Sequence, residues 1–243
     1  MNKWQDKVAI ITGSSSGIGA AIAKALVNVG FKVVGLDILK EQKDYTEVLN
    51  SDTNNFFPLA VDVSKEEELL KAFEWIQDRF RSVHVLINNA AVKKPTTLVN
   101  GDSNMWRETI ETNVIGLCIL TREVVRNMQE NEINGHIVHI NSIGGHWVPP
   151  LAETNVYPAT KHAVTALTET LRLELNGIGS KIKVTSISPS FVKTKMLEEA
   201  IKGNYEMLRN TPVLQPNDIA DAVLYVLSTP PHVQVHEMII HPI

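Results

Sequence analysis

The sequence predicts an α/β protein built on a single doubly wound parallel sheet of about seven strands with helices on both faces. Short β-branched runs alternate with longer helical patterns along the whole chain, which is the signature of that architecture. Several of the short runs are apolar at successive positions, as strands covered by helices on both faces require. The first of them leads directly into a glycine-rich turn and a helix.

The expected strands are Val8–Ile11, Lys32–Leu36, Phe56–Ala60, Val83–Ile87, His136–Ile140, Lys183–Ile187 and a last one over Val235–Ile240. Between them the expected helices are Ile18–Val29, Lys65–Phe80, Ser103–Met128, Val156–Leu175 and Asp218–Leu227. Ser64 and Glu67 have the spacing of a capping box for the second helix. Val164, Leu167, Leu171 and Leu175 form an apolar stripe on the fourth. Ala220, Val223, Leu224 and Leu227 form one on the last, whose first turn suits Pro216. Leu39–Asn55, Pro149–Asn155 and Lys193–Gln215 are irregular and read as loops or short helices.

With 243 residues, 44% of them hydrophobic, the chain can bury one sizeable core, and a single domain over residues 1–243 is expected. Lys and Arg number 23 against 27 Asp and Glu, a formal charge of −4. That balance offers no electrostatic reason for nucleic acid or an anionic membrane as partner. No apolar run approaches the roughly 18 residues of a membrane span. The N-terminal Met1 to Lys7 segment does not read as a secretory signal. Cys118 is the only cysteine, which excludes an intramolecular disulfide and argues against a thiolate metal site. A cytoplasmic protein without a metal is expected.

After the first strand comes Thr12-Gly13-Ser14-Ser15-Ser16-Gly17-Ile18-Gly19. Glycines allow a tight turn and close approach of backbone N–H groups to a pyrophosphate, whose charge a helix N-terminus favours. A strand–turn–helix also uses glycine merely to turn, so the motif alone does not settle a cofactor. Asp37, at the end of the second strand, stands where a carboxylate would bond an adenosine ribose and repel a 2′-phosphate. Position 16 is serine and position 38 isoleucine, so no basic side chain there offsets the repulsion. NAD is the expected cofactor, with NADP the alternative.

Tyr157 and Lys161 lie four apart on a helix and share a face. A phenol of pKa about 10 is a poor base at neutral pH, and an adjacent ammonium would favour its ionised form. Together with Asn88-Asn89-Ala90 after the fourth strand, Ser142 after the fifth and Tyr157-Pro158-Ala159-Thr160-Lys161, the chain resembles the short-chain dehydrogenase/reductase family over essentially its whole length. Gly135 to Ser142 and Lys161 to Glu169 resemble its insect farnesol-dehydrogenase-like branch.

The resemblance implies a Rossmann-like fold and a catalytic set of Asn113, Ser142, Tyr157 and Lys161. Tyr157 would exchange the substrate proton, Ser142 would hold the substrate oxygen, Lys161 would bind the nicotinamide ribose and lower the tyrosine pKa, and Asn113 would hold a relay water. A mid-helix Asn can also simply bond backbone. The implied cofactor residues are Gly13, Ser16, Gly17, Ile18, Gly19, Asp37, Asp62, Val63, Asn89, Tyr157, Lys161, Val192 and Thr194. Two departures stand out: Ala91 where the family has glycine, and Ser190 where it has the glycine of a Pro-Gly pair. A serine forced to positive φ there would cost about 1 kcal/mol and shift the loop after it.

Ser142 with His146 does not make a hydrolase, because the G-x-S-x-G elbow is missing. His136 and His139 are three apart on a strand and face opposite ways, which disfavours a metal pair. A non-catalytic NAD-binding protein remains the rival from another class. Beside Ser142, the residues Ile143, His146, Trp147, Val148, Pro149, Phe191, Met196 and Leu197 are candidates for a substrate pocket. Such a wall would bury a hydrocarbon body, so a lipophilic, terpenoid-like alcohol or its carbonyl is expected. Val114 to Leu120 nearly encircle their helix in apolar residues, and the family implies a homodimer or homotetramer.

Overall fold

The computed structural model describes residues 2–38, 53–150, 153–200 and 212–243. Its seven strands are β1 (Val8–Thr12), β2 (Lys32–Asp37), β3 (Phe56–Ala60), β4 (Val85–Asn88), β5 (His136–Ile140), β6 (Lys183–Pro189) and β7 (Glu237–Ile240). All pair in parallel, in the order β3-β2-β1-β4-β5-β6-β7. The chain winds outward from β1 in one direction and from β4 in the other. Connections leaving the C-terminal ends of β1 and β4 therefore diverge and open a crevice between them.

The helices are α1 (Gly17–Asn28), α2 (Glu66–Phe80), α3 (Ser103–Ile110), α4 (Gly116–Glu130), α5 (Tyr157–Gly177), α6 (Lys195–Ala200) and α7 (Pro216–Ser228). On one face, Ile22 and Leu26 of α1 and Val223 and Leu227 of α7 pack on Ile11, Val33 and Ile87. On the other, Leu69 and Phe73 of α2, Leu120 and Val124 of α4 and Leu175 of α5 pack on Ile10, Val34 and Leu86. The expected alternation and two-sided cover are both present. Each fully buried Leu, Ile or Phe contributes about 1.5–3 kcal/mol, so the two clusters dominate the fold's stability.

Several boundaries differ from the sequence expectation, each for a local reason. The helix expected over Ser103–Met128 is interrupted by a π-turn at Glu111–Ile115. Gly116 follows it at a place where a Cβ would come 2.4 Å from the Val63 carbonyl oxygen, so helix and loop touch through backbone. The Ser64–Glu67 capping box does not form. The Ser64 hydroxyl donates to Asp62 Oδ1 at 2.7 Å, and Glu68 accepts from the Asp62 N–H at 2.8 Å. A capping box forms instead at α7, between Gln215 and Asp218. β4 begins at Val85 rather than Val83, since the Val83 N–H donates to the Asn127 side chain at 2.9 Å. Of the expected loops, residues 39–52, 151–152 and 201–211 lie outside the described residues.

Asn127 is a buried bolt between α4 and the segment entering β4, accepting from Val83 N–H and donating to the Arg81 carbonyl at 3.0 Å. Asn127→Ala strands both backbone groups and leaves a void. The expected loss is about 2–3 kcal/mol, read as a lower urea midpoint at unchanged m-value.

Candidate active site

The glycine-rich turn sits at the crevice. Gly13 and Gly17 have φ of +67° and +53°, a region L side chains rarely adopt. A Cβ on Gly19 would lie 2.0 Å from the Gly13 carbonyl oxygen. The Ser16 side chain makes no cap hydrogen bond to α1, so no side chain at that position competes for the helix N-terminus. A cleft of about 520 Å³ opens over this turn. Its walls include Gly13, Ser16, Gly17, Ile18, Asp37, Asp62, Val63, Asn89, Tyr157, Lys161 and Thr194. Gly19 lies beneath the turn, and Val192 lines an adjoining cavity. The Asp37 carboxylate accepts from Ser15 N–H at 3.0 Å and Ser15 Oγ at 2.7 Å, both on Oδ2. Backbone donors, a helix N-terminus and one placed carboxylate form a donor set that suits a dinucleotide.

Asn113, Ser142, Tyr157 and Lys161 come from three segments: the π-turn, the exit of β5 and α5. Lys161 is buried and donates from Nζ to the Ile140 carbonyl at the end of β5, at 2.9 Å. Its Nζ lies 5.9 Å from the Tyr157 ring centroid. The Ser142 hydroxyl bonds the phenol and also accepts from Gly144 N–H at 3.0 Å. Asn113 accepts from Val92 N–H at 2.8 Å and donates to the Val92 carbonyl at 3.0 Å and to Thr160 Oγ1 at 3.1 Å. Both of its side-chain N–H groups are engaged, leaving at most an oxygen lone pair for a water.

The electrostatics reverse one expectation. Burial pushes the Tyr157 phenol up to about 12, with the Ser142 hydrogen bond acting in the opposite sense. Burial pulls Lys161 down to about 8. The lysine points at a carbonyl and does not by itself acidify the tyrosine, because the cost of desolvating a phenolate outweighs a charge at that distance. Near neutral pH the protein alone thus holds a neutral phenol poised to donate.

A second cavity, of about 140 Å³, meets the cleft at Ile18, Asn141, Tyr157, Thr194 and Met196. Of the candidate pocket residues, Ser142, Ile143, Pro149, Phe191, Met196 and Leu197 line it. His146, Trp147 and Val148 do not. The His146 ring bonds Ser188 Oγ at 3.0 Å and lies 3.0 Å from Glu237, turned toward β6 and β7. Trp147 and Val148 are exposed. Ser190 is not among the described residues of positive φ, so the feared strain is absent. Its N–H donates to the Ile240 carbonyl at 2.8 Å and prolongs the β6–β7 ladder. Buried His136 and His139 bond Thr185 and Thr168.

Sequence reasoning missed three positioning residues. Thr12 Oγ1 accepts from Asn89 N–H and Ala90 N–H, joining β1 to the β4 exit. Thr160 holds Asn113. Asn155, at φ 41°, donates to the Lys94 carbonyl at 3.0 Å two residues before the tyrosine. Only a threonine ahead of the glycine turn offered a signal, since partners 47 to 78 residues apart leave no local pattern.

A family model described as short chain dehydrogenase matches residues 7–204. The chain is 45% identical to a farnesol dehydrogenase of Aedes aegypti, over 100% of this chain and 98% of that protein. It is 42% identical to dehydrogenase/reductase SDR family member 11 of Bos taurus, again over 100% and 98%. Among solved structures, the closed form of serine dehydrogenase complexed with NADP+ superposes with a TM-score of 0.86 at 28% identity, covering 97% and 94% of the two chains. A 4-hydroxyisoleucine dehydrogenase complexed with NADH gives 0.85 at 27% identity, covering 98% of each.

The lysine assignment is open to direct titration. Carbon-13 NMR of lysine Cε resonances is expected to show one amine losing its proton near pH 8, absent in Lys161→Met. A set of lysines titrating only near 10.5 would contradict the burial argument.

Proposed function

We propose, for a chain that belongs to the short-chain dehydrogenase/reductase family and is an oxidoreductase, the NAD(H)-dependent interconversion of a lipophilic, terpenoid-like alcohol and its aldehyde or ketone. The observation that carries this reading is the junction of the two cavities. Tyr157 stands in the wall shared by the dinucleotide-sized cleft and the apolar cavity, with Ser142 bonded to it and Lys161 behind it.

The bound nicotinamide supplies or accepts the hydride. Every other task falls to the protein. Gly13, Gly17 and Gly19 leave room for a pyrophosphate, and Asp37 offers its second carboxylate oxygen to a ribose diol while repelling a 2′-phosphate. Asp62, Val63, Asn89, Val192 and Thr194 complete the walls. Tyr157, neutral in the protein alone, donates to a carbonyl oxygen in reduction. In oxidation it must give up its own proton first, which requires added positive charge near the ring. Ser142 fixes the substrate oxygen, and Lys161 serves the ribose hydroxyls. Asn113 braces the Val92 backbone against α5 through Thr160.

The apolar lining favours a hydrocarbon body, and the farnesol dehydrogenase of Aedes aegypti supports a terpenoid. Ile110, Ile115 and Leu173 are exposed on α3, the π-turn and α5, supporting a homodimer or homotetramer through these helices. Among the described residues, no helix is long and apolar enough to cross a membrane, and we place the enzyme in the cytoplasm as one domain.

Initial rates with NAD and NADP at matched concentrations should favour NAD at least tenfold, and Asp37→Ala should narrow that ratio. A preference for NADP overturns the cofactor reading. Tyr157→Phe is expected to lower kcat by about 10²–10⁴-fold while NAD binding, read by calorimetry, persists. Binding without turnover in the unmutated chain would identify a non-catalytic NAD-binding protein.

A further inference from the structure

Lys93 is the only charged side chain among the described residues lining the 140 Å³ cavity. It does not line the cofactor-sized cleft. Its neighbour Lys94 does, and Lys94 is paired with Glu108 at 2.5 Å. The backbone holds Lys93 from both sides. Val92 is clamped by two hydrogen bonds to Asn113, and the Lys94 carbonyl accepts from Asn155. The backbone on either side of Lys93 is therefore held, and the residue lines the same cavity as Ser142 and Tyr157. It is half-buried, and desolvation depresses its pKa more than the nearby Glu153 raises it. Among the described residues, Glu153 is the acidic group that acts on this amine.

We infer that Lys93 forms an anion-binding subsite of the substrate pocket, selecting apolar alcohols or carbonyls that carry a carboxylate at the end remote from the reacting carbon. This rests on the oxidoreductase reading above and specifies its substrate class. The cavity is small beside the roughly 300–1,000 Å³ of drug-sized sites. Within it a lysine that can carry charge and the Ser142–Tyr157 pair give two polar points for one otherwise apolar molecule. An ammonium–carboxylate bond in an apolar setting is among the stronger hydrogen bonds available to such a ligand. An uncharged alcohol entering the same space leaves the lysine desolvated and unpaired.

The test compares 8-hydroxyoctanoate with its methyl ester, using saturating NAD, in the parent chain, Lys93→Met and Lys93→Arg. The ratio of kcat/KM for acid over ester is expected to be about tenfold or more in the parent and in Lys93→Arg, and to fall to about one in Lys93→Met. The difference should lie in KM. A parent ratio at or below one, or an unchanged ratio in Lys93→Met, overturns the subsite. Thermal shifts with octanoate and methyl octanoate, measured with NAD present, read binding without turnover. Selective stabilisation by octanoate that Lys93→Met abolishes upholds the subsite even if neither alcohol is oxidised, in which case the substrate reaction is what fails. Equal shifts from acid and ester, or a shift that survives in Lys93→Met, refute the subsite while leaving the oxidoreductase reading intact.

Discussion

The contact between the Lys161 ammonium and the Ile140 carbonyl is the constraint on which the site is built. A cation taken out of water needs a strong acceptor, and the last carbonyl of β5 is a strand-end group with no ladder partner required of it. Meeting that need fixes the rotation and height of α5 over the sheet. Tyr157, one turn earlier on the same helix, then stands at the mouth of the crevice between β1 and β4. Ser142, two residues beyond the same carbonyl, arrives beside the phenol because both depend on where β5 ends. Lys161, Tyr157 and Ser142 are therefore positioned by where the sheet ends.

Burial that gives this precision also imposes an electrostatic cost, and the cost has a direction. Low-dielectric surroundings raise a phenol and lower an amine, so they move Tyr157 and Lys161 toward their neutral forms together. The protein without cofactor is thus biased toward proton donation. In the proposed oxidation, a bound oxidised nicotinamide would supply the positive charge that proton acceptance by Tyr157 needs. A pair chosen only by helical spacing looks like a simple acid–base couple, and its environment reverses that impression.

Much of the fold was legible because it is written in local pattern. β-Branched runs, helical apolar stripes and the glycine turn each specify their element within a few residues, and all seven strands fall where apolar runs predict them. The four catalytic candidates were legible through spacing and resemblance. What escaped depended on partners far apart in the chain. The π-turn at Glu111–Ile115 precedes the close approach of Gly116 to the Val63 backbone, and a continuous helical pattern carries no trace of either. The Ser64–Glu67 box failed because Asp62 captured the serine first. His146 looked like a pocket residue by proximity to Ser142, but Ser188 and Glu237 draw its ring to the other side.

The serine at position 190 shows how a departure from a family pattern is absorbed. Glycine at such a position permits positive φ, and the chain dispenses with that freedom by continuing β6 into register with β7. Phe191 and Val192 then leave the sheet from a hydrogen-bonded strand instead of a flexible hinge. Val192 forms an isolated bridge with Leu214, and Thr194 comes within reach of Gly17 across the cleft. The wall shared by the larger cleft and the smaller cavity is consequently suspended from the sheet edge. A substitution remote from the chemistry, on β7, acts on that wall through the ladder that carries it.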